Sequence, residues 1–201
     1  VSAGGNDIFL VKYDGLLNLM VQFGSNMGIA DDVARGVAVD QSGNAYVAGY
    51  TLGGMDGNTN AGVQSAEMFL VKYTNTGEKQ WTRQYGSDLD DQGYGVAVDA
   101  QGNVYVAGFT QGVLGDNMTA NAGNYDIVLV KYDSAGDRLW AQQLGSNMSD
   151  YAVGVAVSAD GQSVYVTGYT SGGLDGNGHV GSTDIFLAKY DSSGNKQWTQ
   201  Q

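Results

Sequence analysis

The sequence predicts an all-β protein, a β-propeller fragment made of four-stranded antiparallel blades, with three full repeats and one half repeat of about 59 residues. Short blocks of residues recur in the same order along the chain, and Gly, Asn, Asp and Ser lie between them, which is typical of strands joined by turns. One block, Ile8–Val11, is apolar at every position, as in a sheet that is buried on both faces. Tandem sheets of this kind stack face to face, which is how propeller blades pack.

Three blocks establish the repeat. The IFLVKY block recurs at spacings of 60, 59 and 58 residues, in the segments 8–13, 68–73, 127–132 and 185–190. The GVAVD block recurs as GVAVD or GVAVS, in the segments 36–40, 95–99 and 154–158. The YVAGYT block follows it, in the segments 46–51, 105–110 and 165–170. Each unit therefore contains several short strands, and its surplus length lies in one long Gly-rich loop.

A fourth block carries a tryptophan, at Trp81, Trp140 and Trp198, and Leu19 takes the same slot in the first copy. Small residues in the GVAVD block suit the crowded strand nearest the propeller axis, so we expect the tryptophan strand at the rim. The predicted organisation is one propeller region over 1–201, within a larger chain. Its expected parts are a half blade, 1–25, and three blades, 26–87, 88–146 and 147–201.

The turns between the blocks support hairpins. The segments 41–44 (QSGN) and 100–103 (AQGN) place Gly where a type I turn followed by a left-handed residue needs it. The first copy shortens its other hairpin to Asp14-Gly15, a two-residue turn signal. We therefore expect each unit to be a meander of antiparallel strands.

Composition excludes several functions. The chain has no cysteine, which excludes a disulfide framework and a thiol nucleophile. Its net charge of -12 disfavours nucleic acid as a partner. No apolar run is long enough to span a bilayer, so we expect no membrane insertion. Because the sequence begins at Val1, we expect it to be a processed product or a piece of a longer chain.

Taken together, the pattern GVAVDxxGNxYVAGYT, a Gly-rich loop and DIFLVKYDxxGxxxW resembles the bacterial β-propeller repeat called SBBP. The resemblance spans nearly the whole chain and departs from the pattern at Leu19, at Ser158 and in the missing opening strands of the first copy. It implies a propeller within a large exported or surface-attached bacterial protein, with an extracellular, cell-surface or periplasmic location. It implies no shared catalytic residues.

Charged residues that recur in every copy are expected to build blades. Lysines occupy one slot at Lys12, Lys72, Lys131 and Lys189, and acids occupy another at Asp32, Asp91 and Asp150. An unpaired buried ammonium is costly. We therefore expect the lysines to pair with an acid ladder or with backbone carbonyls between blades.

Metal binding is an alternative that rests on the long loops. Asp and Asn oxygens in Gly-permitted turns are ligands that Ca²⁺ uses, and the first candidates are Asp56, Asp116 and Asp175. None of these loops has the spacing of a known calcium motif, and the same residues suit plain turns. The corresponding functional hypothesis is a calcium-stabilised carbohydrate-binding module, and otherwise no cofactor is expected.

Catalysis has less support. The chain contains one histidine, His179, in a Gly-rich loop, and no nucleophile motif accompanies it. The paired acids Asp31-Asp32 and Asp90-Asp91 could mimic the carboxylates of a glycoside hydrolase. One acid of each pair belongs to a repeated slot, which favours a structural role. The sequence therefore predicts a protein that is not an enzyme.

Four tyrosines lie outside the repeated strand slots and could line a surface for a sugar or a peptide, at Tyr85, Tyr94, Tyr125 and Tyr151. The leading hypothesis is an interaction or structural module that binds protein or glycan through loops on one propeller face. An open propeller also leaves unpaired edges. We expect these to be covered by further blades of the same parent chain or by another subunit.

Overall fold

The computed structural model describes residues 5–13, 17–25, 30–62, 65–117 and 120–201. The predicted turn at Asp14-Gly15 and the side chain of Leu19 lie outside the described part. Within it, fourteen strands and one 3₁₀ turn follow one another along the chain. They are β1 (Ile8–Tyr13), β2 (Leu17–Phe23), β3 (Asp32–Val39), β4 (Ala45–Thr51), β5 (Glu67–Tyr73), β6 (Lys79–Tyr85), β7 (Asp91–Val98), β8 (Val104–Thr110), β9 (Asp126–Tyr132), β10 (Arg138–Leu144), β11 (Asp150–Val157), β12 (Ser163–Thr170), the 3₁₀ turn Leu174–Gly176, β13 (Asp184–Asp191) and β14 (Lys196–Gln200).

The strands form one two-stranded sheet and three four-stranded sheets, each an antiparallel meander. We call them blade 1 (β1–β2), blade 2 (β3–β6), blade 3 (β7–β10) and blade 4 (β11–β14). This confirms the all-β prediction and the four-stranded antiparallel blade. The GVAVD strand is at one edge of each full blade and the tryptophan strand is at the other.

Neighbouring blades pack face to face, so the core is divided among the joints between them. Side chains of the third strand alternate between the two faces: in β5, Phe69 and Val71 face blade 1, whereas Met68 and Leu70 face blade 3. Strand β9 is buried over its whole length, as its apolar sequence predicts. Successive side chains of these strands therefore still point to opposite faces of the sheet, although both faces are apolar.

The inner strands approach one another closely, as expected near a propeller axis. A Cβ atom on Gly95 of β7 would lie 2.9 Å from the backbone nitrogen of Val155 in β11, closer than such atoms pack. The inner strand of each full blade also contains a β-bulge, where the register shifts between Ala34 and Gly36, between Gly93 and Gly95, and between Ala152 and Gly154. The bulge leaves one residue out of the ladder and re-aims its side chain.

The predicted hairpin turns are present. Gly43 and Gly102 have φ angles of 79° and 81°, the left-handed conformation that the turn sequence requires. Asp40 fixes the first of these turns, because its carboxylate accepts hydrogen bonds from the backbone nitrogens of Ser42 and Asn44, both at 2.9 Å. Asp99 does the same in the next copy.

The outermost blade faces are open. Phe9 of β1 is 73% exposed although its counterpart Phe69 in β5 is 1% exposed. At the other end Ile185 of β13 is 81% exposed, against 1% for its counterpart Ile127. The residues that seal the internal joints thus recur, uncovered, on the two terminal faces.

No helix within the described residues is long and apolar enough to cross a membrane.

Candidate functional site

The repeated lysines join each blade to the next. The Nζ atom of Lys131 in blade 3 donates a hydrogen bond to the carbonyl of Ser192 in blade 4, at 2.9 Å. Lys72 donates to the carbonyl of Ser134 at 3.2 Å, and Lys12 to that of Asn75 at 3.0 Å. The sequence left two kinds of partner open for these lysines, an acid ladder or backbone carbonyls between blades. In the structure these three lysines donate to backbone carbonyls. Lys189 occupies the same slot on the open face of blade 4.

The tryptophans lie at the same joints. Gly136, in the outer hairpin of blade 3, packs so closely on the Trp81 ring of blade 2 that a Cβ there would be 2.9 Å from it. Gly194 of blade 4 packs on Trp140 in the same way, and the Trp140 indole donates to the Ser192 carbonyl at 3.3 Å. Trp198, on the open face, is 37% exposed. The tryptophan slot is therefore a blade-stacking position.

The acids that begin the inner strands fix the connections between blades. The carboxylates of these residues accept hydrogen bonds from the backbone nitrogen of the serine that ends the preceding blade, Ser25 to Asp32, Ser87 to Asp91 and Ser146 to Asp150, at 2.5 to 2.6 Å. In blades 3 and 4 a threonine hydroxyl also donates to the acid, from Thr110 to Asp91 and from Thr170 to Asp150.

The paired acids have a structural role, because each accepts a hydrogen bond from a backbone nitrogen. Asp91 is fully buried, and burial raises its pKa to about 6. Its neighbour Asp90 accepts a hydrogen bond from the backbone nitrogen of Ala66 at 3.0 Å, and Asp31 accepts one from that of Asn6 at 2.8 Å. The buried carboxylate of Asp91 cannot reach a glycoside in solution, so this geometry gives no support to the hydrolase alternative.

A glutamine three residues after each tryptophan slot is a repeated feature that the sequence interpretation missed. In blade 3, Gln143 accepts from the backbone nitrogen of Leu114 and donates to the carbonyl of Gly112 and to Asp126, at 2.9, 3.1 and 2.9 Å. Gln84 and Gln201 hold their own loops in the same way. The spacing W-x-x-Q at 81–84, 140–143 and 198–201 was the signal that could have revealed them.

The three loop acids considered for calcium each bind a cation of their own blade. Asp56 pairs with Lys79 at 2.5 Å, Asp116 with Arg138 at 2.8 Å, and Asp175 with Lys196. Asp56 and Asp175 also accept hydrogen bonds from the hydroxyls of Thr82 and Thr199 at 2.5 Å.

Lys79 and Thr82 lower the pKa of Asp56 against the opposing effect of burial, and Lys196 and Thr199 do the same for Asp175. No cluster of three or more potential metal ligands occurs among the described residues. Calcium binding remains a prediction to which these contacts add nothing.

The single histidine lies beside Asp184, the acid with which β13 begins. The Nδ1 atom of His179 lies 3.2 Å from a carboxylate oxygen of Asp184, which also accepts a hydrogen bond from the Gln201 amide at 3.0 Å. This acid is the counterpart of Asp126 in blade 3. The histidine thus lies beside the loop-holding network of blade 4.

Three of the four tyrosines considered for ligand binding converge between blades 3 and 4. The Tyr125 and Tyr151 rings lie 5.4 Å apart, and both pack against Phe109, at 5.2 and 4.9 Å. Tyr94 contacts Phe109 from the inner strand at 5.7 Å, and Tyr169 stacks on Tyr151 at 5.0 Å. These rings gather where the inner strands begin and the second strands end.

A pocket of about 260 Å³ opens among these rings. We call it the tyrosine pocket, and define it by its lining residues Gln92, Tyr94, Phe109, Tyr151, Ala152, Val153 and Tyr169. Tyr169 is 40% exposed and Val153 46% exposed, so the pocket is open to solvent. It is the part of the predicted surface that could hold a ligand.

The bulge of the inner strand supplies one lining side chain of this pocket in blades 3 and 4, and in blade 2 it places a side chain beside the Tyr94 ring. The bulge residues are Arg35 in blade 2, Tyr94 in blade 3 and Val153 in blade 4. The Arg35 guanidinium lies 5.0 Å from the centre of the Tyr94 ring and 5.6 Å from that of Tyr50. Backbone geometry is thus repeated at a slot whose side chain differs in every blade.

Tyr85 lies apart from the other three. It packs against the core between blades 2 and 3, and its hydroxyl donates to the carbonyl of Leu114 at 2.6 Å. The Arg138 guanidinium lies 5.0 Å from its ring centre. These contacts give Tyr85 a place in the blade joint and separate it from the tyrosine pocket.

Comparison with known families adds sequence evidence. The profile of the beta-propeller repeat SBBP matches residues 22–54, 80–115 and 139–175, which together are more than half of the chain. Each matched segment runs from an outer strand into the next blade.

Two curated proteins are similar to parts of the chain. Regulatory protein FlaEY of Caulobacter vibrioides is 35% identical over 85 residues, which is 38% of this chain and 9% of that protein. An uncharacterized WD repeat-containing protein, L264, of Acanthamoeba polyphaga mimivirus is 26% identical over 156 residues, 59% of this chain and 11% of that protein. The chain thus spans about a tenth of the length of these relatives.

Proposed function

The chain belongs to the SBBP beta-propeller repeat family, and on that premise we propose that it is a non-enzymatic interaction and structural module that binds protein or glycan through one propeller face. The binding face is the one that carries the tyrosine pocket. Its blades form the scaffold, and residues that differ between blades make the contacts.

The observation that carries this proposal is that repeated charged and amide residues hold the blades and their loops in place, whereas residues that differ between blades line the pocket. The repeated Lys131, Asp91 and Gln143 are all engaged in joints, blade connections or loop anchoring. By contrast, the bulge residues Tyr94 and Val153, which differ between blades, line a pocket open to solvent. Aromatic rings of the repeated YVAGYT block, Phe109 and Tyr169, complete its wall. Binding residues usually lie on such variable positions of a rigid scaffold.

The relatives support a module without catalysis. One relative is named a regulatory protein and the other a WD repeat-containing protein, and neither name describes a reaction. No contact among the described residues favours the calcium-stabilised carbohydrate module over a calcium-free one.

A binding screen tests the proposal. The wild-type chain is applied to an array of peptides and an array of glycans, and each ligand found is measured again with Tyr151→Leu and with Leu139→Ser as the matched control. Leu139 is 51% exposed on the outer strand of blade 3 and lies outside the tyrosine pocket. We expect Tyr151→Leu to lose the binding and Leu139→Ser to keep it. Ligands that bind both variants equally would place recognition elsewhere and contradict the proposal.

The open terminal faces are proposed to receive further SBBP blades. Supporting this, Ile185 and Leu187 expose on blade 4 the slots that Ile127 and Leu129 bury on blade 3. A chain extended by one complete repeat after Gln201 should therefore unfold at a higher temperature than the present chain. An extended chain of unchanged stability would argue against this partner.

An exported location, at the cell surface or in the periplasm of a bacterium, completes the proposal. It rests on the family resemblance. Fractionation of cells that express the parent protein, followed by detection with an antibody against this segment, tests it, and recovery in the cytoplasm alone would refute it.

A further inference from the structure

We propose that the tyrosine pocket binds the side chain of an arginine presented by a peptide. This inference rests on the proposed function, an interaction module, and specifies the chemistry that its partner offers. The pocket volume of about 260 Å³ suits one side chain, whereas a folded surface would need a broader groove.

The chain itself already stacks a guanidinium on the edge of this aromatic group. Arg35 of blade 2 lies 5.0 Å from the centre of Tyr94, within the distance at which a cation is attracted to the face of a ring. Arg35 forms no ion pair among the described residues, so the rings are its evident partners. Tyr151 and Tyr169, 5.0 Å apart, offer comparable rings on the blade 4 side of Tyr94.

Charge favours a cation. The chain carries a net charge of -12, which attracts basic peptides and repels acidic ones. Burial raises the pKa of the Tyr125 hydroxyl beside the pocket, so Tyr125 is neutral at physiological pH.

The lining distinguishes arginine from lysine and from a sugar. Among the described residues no carboxylate lines the pocket, so a strongly hydrated ammonium would lose water without gaining an ion pair. A guanidinium is planar and weakly hydrated, and it stacks on aromatic rings. A pyranose needs several converging polar groups for its hydroxyls, and Gln92 supplies the one amide in the lining.

The test is an NMR titration of the intact chain with the blocked peptide Gly-Gly-Arg-Gly-Gly. The comparison peptides replace the arginine with citrulline, which keeps the shape and removes the charge, or with lysine. We expect saturable shifts for the arginine peptide, and binding about tenfold weaker for citrulline, since a cation–π contact in a partly dry site corresponds to about that factor. Equal binding of arginine and citrulline, or no arginine binding at 10 mM peptide (a concentration of about ten times a 1 mM Kd), would overturn the inference.

Variants locate the site. Tyr169→Leu removes an exposed ring and should weaken the arginine peptide at least fivefold (a change of about 1 kcal/mol), whereas Tyr169→Phe should retain binding because the ring remains. Tyr13→Leu is the control, since Tyr13 is a ring on blade 1 that is more exposed than Tyr169, 71% against 40%, and lies outside the tyrosine pocket. Loss of binding in Tyr13→Leu as large as in Tyr169→Leu would contradict the assignment.

Arg35→Gln separates a cationic ligand from an anionic one. For an arginine ligand, removal of this nearby positive charge should leave the affinity unchanged or raise it. A fall in affinity would overturn the inference. The last titration uses methyl glycosides. If they bind in a manner that depends on Tyr169 and the arginine peptide does not bind, the pocket does not bind arginine. The proposed interaction module would then still hold.

Discussion

The amide of Gln143 donates a hydrogen bond to the carboxylate of Asp126 at 2.9 Å, while its carbonyl accepts one from the backbone of Leu114 at 2.9 Å. One side chain thereby holds the long loop of blade 3 against the start of its third strand. Gln143 is 3% exposed, so water cannot replace these partners.

Removing this glutamine should therefore be costly. We expect Gln143→Leu to lower the free energy of unfolding by about 2–4 kcal/mol, because it leaves buried loop amides and a carboxylate without partners. The adjacent Gln142, half-buried on the same strand, provides the control Gln142→Leu, which should change stability by less than about 1 kcal/mol. Urea denaturation of the three proteins measures this, and equal losses in both variants would show that the anchoring is unimportant.

Lysine substitutions test the blade joint. Lys131 is 8% exposed and donates to Ser192 of the next blade at 2.9 Å, so Lys131→Met should cost about 1–2 kcal/mol of unfolding free energy. Lys189→Met alters the same slot on the open face and should cost less than about 0.5 kcal/mol. Thermal unfolding with both variants checks the difference, and similar costs would contradict a joint made by this bond.

The ionisation of Asp91 should make the stability of the chain decrease as the pH rises. Burial raises its pKa to about 6 from an ordinary 3.8, so between these pH values the folded chain holds a proton that the unfolded chain has lost. The contribution of Asp91 to the free energy of unfolding is therefore fully present below pH 3.8. It falls as the pH rises to 6, by at most about 1.4 kcal/mol per pH unit. Asp91→Asn cannot titrate, so the wild-type protein should be favoured over it most strongly at low pH. Urea midpoints at pH 4 and pH 7 measure this, and a pH-independent difference would disprove it.

Calcium should have no effect on stability. The carboxylate of Asp116 is held by Arg138 at 2.8 Å and by the backbone nitrogen of Ala141 at 2.9 Å, so a metal would have to displace both. We expect the melting temperature with 5 mM Ca²⁺ and with a chelator to agree within about 1 °C, because a ligand raises stability only if it binds the folded state. A calcium-dependent increase that Asp116→Asn abolishes would establish the site considered from the sequence.

Glycine substitution tests the closeness of the strands. A Cβ on Gly108 would lie 1.9 Å from the carbonyl oxygen of Gln92 in the adjacent strand, a contact that only backbone movement could relieve. Gly108→Ala should therefore destabilise the chain by more than about 3 kcal/mol. Gly178→Ala, at a position with nothing within 4 Å, is the control and should change little. Comparable unfolding temperatures for the two variants would contradict this packing.

Much of the fold could be predicted because repetition multiplies the signal. The first four residues of the IFLVKY block are apolar in all four copies, which predicts a strand buried on both faces, and Gly43 and Gly102 lie where their hairpins turn. The W-x-x-Q spacing marks the position of Gln143 as repeated, but its role could not be predicted, because its partners are mostly backbone atoms of a loop whose sequence varies. Convergence of Tyr94 and Tyr151 depends on a bulge and on the juxtaposition of two sheets, which a linear pattern does not encode.

The lysines of blades 1, 2 and 3 and the hairpin carbonyls that they reach lie in corresponding positions of neighbouring copies. One repeat of about 59 residues therefore contains both the lysine that donates to the next blade and the hairpin carbonyl that accepts from the preceding one. Tandem duplication of the coding segment would create a complete new junction without any compensating substitution. Such a gene can lengthen or shorten by whole units, while the side chain at each bulge diverges independently.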